Sequence, residues 1–330
     1  MSVERRLRLG FVPLNDAAAL IVARDKGFFA AEGLKVELSR EASWATVRDK
    51  LAVGALDGAH MLAPLALAMS LGDGCDPTAM VAPFALNLGG AAVTLSTRLA
   101  ASVAEGASAS GLADLIVRRR EQGSSPLTFA IVFPYSTHNY LLRDWMVRAG
   151  IDPDRDVRLT VAPPARTAEL LADGVIEGFC AGEPWNQIAV RAGVGRIAMR
   201  ASHFAPQAPD KVFATTEAWA ATHPFELQAL LRSLLRASAW IEQRGARNEL
   251  AAMLAQPENV GVEGEAIAAG LGDIRFHRDG ANRPETAQAV WLLEQMHRWG
   301  QLGPSQDVAG IASRVYRPDL FDEARAALDA

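Results

Sequence analysis

Three side chains in this sequence have the chemistry to hold a small anion, and two of them stand where a helix should begin. In Ser43-Trp44-Ala45-Thr46 a serine able to cap a helix precedes an indole, whose N–H donates and which has no acceptor function. In Ser136-Thr137-His138-Asn139 the imidazole donates one hydrogen bond when neutral and two when charged. Lys211, in APDKVFATTEAWA just after a predicted helix-to-strand loop, supplies a full positive charge. A helix amino terminus adds unpaired N–H groups and the positive end of the macrodipole, so an oxyanion docks there without a full counter-charge. Each residue also has a plainer reading: Trp44 as packing against a facing lobe, His138 as surface or satisfied cap, Lys211 as solvated surface.

The sequence offers less to an enzyme. It has no Gly-x-Ser-x-Gly elbow, no P-loop and no Gly-x-Gly-x-x-Gly after a strand, and its six histidines lack the spacings that hold zinc. The expectation is a non-enzyme with no metal and no cofactor. Asp57 with Glu177 or Glu183 is one conceivable acid/base pair, set against the commoner role of carboxylates after Gly turns as turn or cap residues. Trp185 and Asn186 in GEPWNQ read first as hinge or lobe contacts and second as cleft lining. Glu183 beside them repels an anion unless it is turned away.

Strands and helices must alternate to position these groups. Leu7 to Val12 reads as a strand ending at Pro13, after which Asn15 or Asp16 caps a helix over Ala17 to Asp25. Val47, Leu51 and Ala52 recur at helical spacing from Trp44 to Val53, Gly54 stops the helix, and Leu56 to Met61 resumes as strand or buried turn. The order repeats in Leu127 to Phe133, a helix capped by Ser136 that runs to Ala149, Val157 to Val161, Thr167 to Ala172 and Val175 to Cys180. Helices then dominate, including Pro224 to Gln243 and Ala287 to Trp299, with cap or stop signals at Thr222, Gly245 and Gly300.

The segment Ser43 to Pro64 aligns with Pro163 to Pro184 at a constant offset of 120 residues, pairing Ala45 with Ala165, Leu51 with Leu171, Gly54 with Gly174, Gly58 with Gly178 and Pro64 with Pro184. Asp57 and Glu177 match in charge. Such an internal echo predicts two related α/β lobes forming a clamp, with a ligand between them. The expected divisions are 1–97 for the first part of lobe 1, 98–215 for lobe 2, and 216–330 for a helical part that returns to complete lobe 1. The echo runs Pro164-Ala165-Arg166 without a tryptophan, so the indole of Trp44 is not a packing residue common to both copies.

Bulk properties narrow the partners. The 330 residues are 50% hydrophobic and 22% charged, a globular balance long enough for two lobes. The net charge of -5 comes from 38 acidic and 33 basic residues, and Arg118 to Arg120 is the one tight basic cluster. That cluster reads as a solvated helix end, so no direct nucleic-acid contact is expected. Two cysteines, Cys75 and Cys180, make no disulfide framework. No run reaches the roughly 18 apolar residues of a membrane span, and the amino terminus MSVERRLRLGFVPL has no apolar export core. The expectation is a soluble, cytoplasmic protein.

GFVPLNDAAALIVARDKGFF, SWATVRDKLAVGALDGAHMLAPLALAMSLG, TFAIVFPYSTHNYLLRDWM, GFCAGEPWNQ and the Lys211 region together resemble the nitrate/bicarbonate-binding proteins of ABC transporters and the closely similar cytoplasmic nitrate/nitrite receptors that control nitrate-assimilation genes. The resemblance implies a periplasmic-binding-protein-like fold, two α/β lobes around a ligand cleft, with nitrate or nitrite in the cleft. It implies that Trp44, the Ala45 and Thr46 backbone, His138 and Lys211 bind the anion, with Asn87, Ala91, Ser136 and Trp185 around them. Ala91 stands where the family is expected to carry an amide side chain, a loss of one charged hydrogen bond worth about 1.5–3 kcal/mol, unless water or Asn87 substitutes or the ligand differs. DGANRPETAQAVW lacks an expected aromatic after its proline. Without an export signal the cytoplasmic branch is the expectation. That branch implies a response-regulator-like RNA-binding antiterminator as partner, released when the anion closes the lobes. The alternative is the binding component of an ABC transporter.

Overall fold

The computed structural model describes residues 6–103, 109–303 and 306–329; the first five residues of the amino-terminal stretch MSVERRLRLGFVPL lie outside them. Eleven strands are described: β1 (Arg6–Phe11), β2 (Lys35–Arg40), β3 (Gly58–Leu62), β4 (Met80–Gly89), β5 (Ala91–Ser96), β6 (Leu127–Ile131), β7 (Val157–Val161), β8 (Gly178–Gly182), β9 (Gly195–Arg200), β10 (Pro209–Thr216) and β11 (Ile274–Arg275). They form a six-stranded sheet in the order β11-β4-β10-β3-β1-β2 and a five-stranded sheet in the order β7-β6-β8-β5-β9. Each sheet carries a parallel trio, β2-β1-β3 and β7-β6-β8. Parallel neighbours require crossover connections, and the helices Ala18–Asp25, Trp44–Ala52, Thr137–Val147 and Thr167–Ala172 lie in them.

The two trios repeat in detail. Asp57 N–H donates to Arg8 O and the Asp57 carboxylate accepts from Arg8 N, both at 2.8 Å. Glu177 does the same to Thr128, at 2.8 Å from its N–H and 2.6 Å to its carboxylate. These carboxylates therefore brace the start of β3 and β8 against the neighbouring strand, which is the turn role and not acid/base chemistry. Gly54 and Gly174 both end their helices at positive φ, +70° and +68°, where a side chain is strained.

The backbone passes between the sheets twice, at Gly89 to Ala91 and at Arg200 to Pro209. Each arriving strand inserts antiparallel into its new sheet, β5 beside β8 and β9, β10 beside β3 and β4. The sequence-based divisions after residues 97 and 215 fall later than these crossings, because β5 already pairs in the second sheet and β10 in the first. Gly89 and Gly90 make the first crossing at φ +75° and +87°, and a Cβ on Gly89 would stand 2.7 Å from Asp273 O. The helix Pro224–Ile241 packs with Ala18–Asp25 in the apolar core of the first lobe, and Leu112, Trp145 and Met146 pack against β5 and β6 in that of the second.

Element ends differ from the sequence reading where chemistry competes with pattern. Lys211 follows the loop after the helix Ala201–Phe204, as expected, and lies inside β10, opposite Leu62 on one side and Asn87 on the other. Neither Asn15 nor Asp16 caps the first helix: Asn15 Nδ2 donates to Ile267 O at 3.0 Å and Asp16 turns inward. Thr222 bonds back to Ala218 O at 2.9 Å within its own helix and caps nothing.

Candidate functional site

Ser43 caps the helix Trp44–Ala52, its hydroxyl accepting from Thr46 N at 3.2 Å. This fixes Trp44 at the first helical position, buried to 1% exposure. Its ring meets that of His60 on β3, centroids 5.2 Å apart, and the Lys211 ammonium lies 5.6 Å from its centroid. The indole N–H has no hydrogen-bond partner, a state that costs free energy when a donor is buried.

Lys211 is fully buried, which a lysine tolerates only when paired. Its ammonium lies 2.9 Å from Asp16 Oδ2 and 2.7 Å from Asp210 Oδ2, and Asp16 Oδ1 lies 2.7 Å from His60 Nε2. Burial alone raises the Asp16 carboxyl, but Lys211 and His60 outweigh it and hold the group well below the ordinary carboxylate range. Burial likewise works against the Lys211 charge, and the two carboxylates overcome it and raise its pKa.

His138 reaches the cluster from the other lobe. Ser136 caps its helix, accepting from Asn139 N at 3.1 Å while donating to Phe133 O at 2.6 Å. The imidazole is 1% exposed, its Nδ1 stands 3.8 Å from Asp210 Oδ1, and neither ring nitrogen has a hydrogen-bond partner. Burial pushes its pKa down to about 4, against the pull of Asp210, so the ring is neutral near pH 7. Gly182, at the end of β8, packs against the cluster. A Cβ there would lie 2.9 Å from Leu14 Cδ2, 3.2 Å from Asp16 Oδ2 and 3.6 Å from His138 Nε2.

The lobes lie shut on this cluster. Trp185 Nε1 donates to Pro13 O at 3.0 Å, Asn15 N to Glu183 O at 2.8 Å, and Thr137 Oγ1 to Pro209 O at 2.6 Å. Trp185 is thus a lobe contact whose donor is spent, and Ser136 is a cap whose hydroxyl is spent. The Thr46 amide, expected to face the ligand, donates to Ser43 Oγ, and Ala45 and Thr46 are half-buried. Asn87 is buried, donates to Gly89 O at 2.8 Å and leaves its Oδ1 unpartnered. Ala91 is buried opposite Gly182 and contributes no polar atom.

Trp44, His138 and Lys211, separate in sequence, therefore meet in one buried cluster. The sequence reading missed Asp16, His60, Asp210 and Gly182. Asp210 was adjacent to a named lysine, and His60 stood at the offset of 120 from buried Cys180, a pairing the echo contained. Glu183 turns away from the cluster toward Gln187, whose N–H donates to it at 3.2 Å; burial pushes its carboxyl up to about 7. Among the described residues no group of three or more His, Cys, Asp or Glu is placed to hold a metal ion, and no helix is long and apolar enough to cross a membrane.

The sequence matches the NMT1-like family over residues 2–255. It is 32% identical over 346 residues to the nitrate/nitrite binding protein NrtA of Synechocystis sp., across 98% of this chain and 76% of that protein. It is 36% identical over 336 residues to the nitrate import ATP-binding protein NrtC of Synechocystis sp., across 96% of this chain and 49% of that protein, so the chain spans about half of that relative's length. The structure superposes on the crystal structure of the periplasmic nitrate-binding protein NrtA from Synechocystis with a TM-score of 0.92 at 30% identity, covering 98% of this chain and 89% of that one. The fold is periplasmic-binding-protein-like.

Proposed function

Because the chain belongs to the NMT1-like family, among its nitrate/bicarbonate-binding proteins, we propose that it is a receptor for a small inorganic oxyanion, nitrate or nitrite, serving as the binding component of an ABC-type transport system. One observation carries the reading. Donors from both lobes, the Trp44 indole N–H and the His138 imidazole, are buried without partners beside the Lys211 ammonium. Unpaired buried donors are costly, and a small acceptor-only guest satisfies them. The names of the relatives support nitrate as that guest. The anion favours the shut arrangement of the lobes because only there do Trp44 and His138 face one site, so binding shifts the population toward closure.

Calorimetry tests the site. Nitrate or nitrite binds the intact chain, and Lys211→Ala or His138→Ala weakens binding at least about tenfold, the loss of one charge-assisted contact. Full affinity in both variants rejects the assignment.

A second reading has the same site in a cytoplasmic sensor that releases an RNA-binding antiterminator when the anion closes the lobes. The resemblance in sequence to such receptors supports it. Co-purification of a response-regulator-like protein that nitrate displaces decides for the sensor. Co-purification of a permease decides for transport.

A further inference from the structure

Charge and donor counts at the cluster leave an imbalance that an anion would worsen. Before any anion enters, the Lys211 ammonium is already shared by two carboxylates, Asp16 at 2.9 Å and Asp210 at 2.7 Å. Asp16 has His60 as a second partner, and Asp210 Oδ1 makes no hydrogen bond, its nearest nitrogen being His138 Nδ1 at 3.8 Å. An incoming oxyanion brings one more negative charge and only lone pairs. His138 then stands between two acceptors, Asp210 Oδ1 on its Nδ1 side and the guest on the side facing Gly182. A neutral imidazole has one N–H and serves one of them. Only the imidazolium donates to both.

We propose that the site takes up one proton with each anion, that His138 carries it, and that Asp210 is the positioning residue that draws the imidazole into the charged form. The inference rests on the oxyanion reading above and deepens it. The groups acting on His138 are Asp210 and Lys211 on β10 and Asp16 after β1, with His60 of β3 bonded behind Asp16; Cys180 on β8 lies near Asp210 and Lys211. Of these, Lys211 opposes protonation, Asp210 and Asp16 favour it, and the Cys180 thiol is kept neutral by burial. Burial holds the ring neutral until a guest arrives, so the proton is bound together with the anion and not before it.

Nitrate is the probe, since it takes up no proton itself near neutrality. Titrated calorimetrically into the intact chain in buffers of different ionisation enthalpy between about pH 6 and 8, it should draw in about one proton per anion. Its Kd should rise about tenfold per pH unit, as one linked proton requires. The 15N shifts of His138 should move to those of an imidazolium on adding nitrate. In His138→Gln, proton uptake should vanish and Kd should cease to depend on pH. In Asp210→Asn, uptake should fall well below one while circular dichroism and melting confirm the fold; should this variant fail to fold, His138→Gln and the 15N shifts decide. Nitrate binding by the wild type with no proton uptake and a Kd flat in pH overturns the inference and leaves the receptor reading standing, as does uptake that persists in His138→Gln. No binding of nitrate or nitrite at any pH removes the receptor reading and the inference with it.

Discussion

Gly182 shows how tightly one residue is held by its surroundings. Its Cα lies where a methyl group would press on Leu14, Asp16 and His138 together, so Gly182→Ala forces the lobes apart or displaces the buried cluster. Overpacking of this kind costs about 1–3 kcal/mol. The expected result is nitrate affinity reduced at least about tenfold, with a melting temperature lowered only modestly if the lobes relieve the strain by opening. Unchanged affinity would remove Gly182 from the site. At this scale the sequence announced donors and hid carboxylates. Trp44, His138 and Lys211 were legible because an indole and an imidazole at helix mouths, and a lysine near them, match an acceptor-only guest. Asp16 and Asp210 were not, since nothing local says that an anion site carries two negative charges; they are explained only by the need to keep a buried ammonium paired. Gly182 was invisible because its role depends on a facing lobe.

The segment between β8 and the helix Trp185–Arg191 carries a titration that belongs to an element, not a single contact. Glu183 is buried between that helix, which donates Gln187 N–H to it, and Gly270, where a Cβ would approach the Glu183 Cβ to 2.7 Å. Burial raises its pKa from 4.5 to about 7. The folded chain therefore keeps the proton in a range where the unfolded chain has lost it. The stability this contributes is full below about pH 4.5 and is lost as pH rises through about 7. Glu183→Gln should leave denaturant stability nearly unchanged at about pH 4 and raise it by roughly 3 kcal/mol at about pH 8. Equal stability of the two proteins at both pH values would contradict the burial argument. Most helices and the parallel strands were readable from apolar spacing and Gly stops, and the repeat at an offset of 120 was readable down to the bracing carboxylates Asp57 and Glu177. The sheet exchange of β5 and β10 was not. Antiparallel insertion depends on which lobe a strand meets after the crossing, which no local pattern encodes.

Across the whole molecule, the site exists only as a product of two lobes. Trp44 and Lys211 come from the first lobe, His138 and Gly182 from the second, and Trp185 to Pro13 and Asn15 to Glu183 fasten one to the other. The expected clamp was legible because each half reads as α/β and the halves repeat. Its shut state was not, since that depends on contacts between residues far apart in sequence. Nothing in a single lobe supplies donors on both sides of an oxyanion, so each lobe should be required for affinity. Trp44→Phe keeps the ring that walls the site and removes only the N–H, which isolates the first lobe's donor. A calorimetric titration of nitrate and nitrite into the wild type and into Trp44→Phe is the most direct measurement. The account expects saturable binding of one anion per chain in the wild type, weakened about tenfold or more by Trp44→Phe. Absence of binding by the wild type, or undiminished affinity in Trp44→Phe, would contradict it.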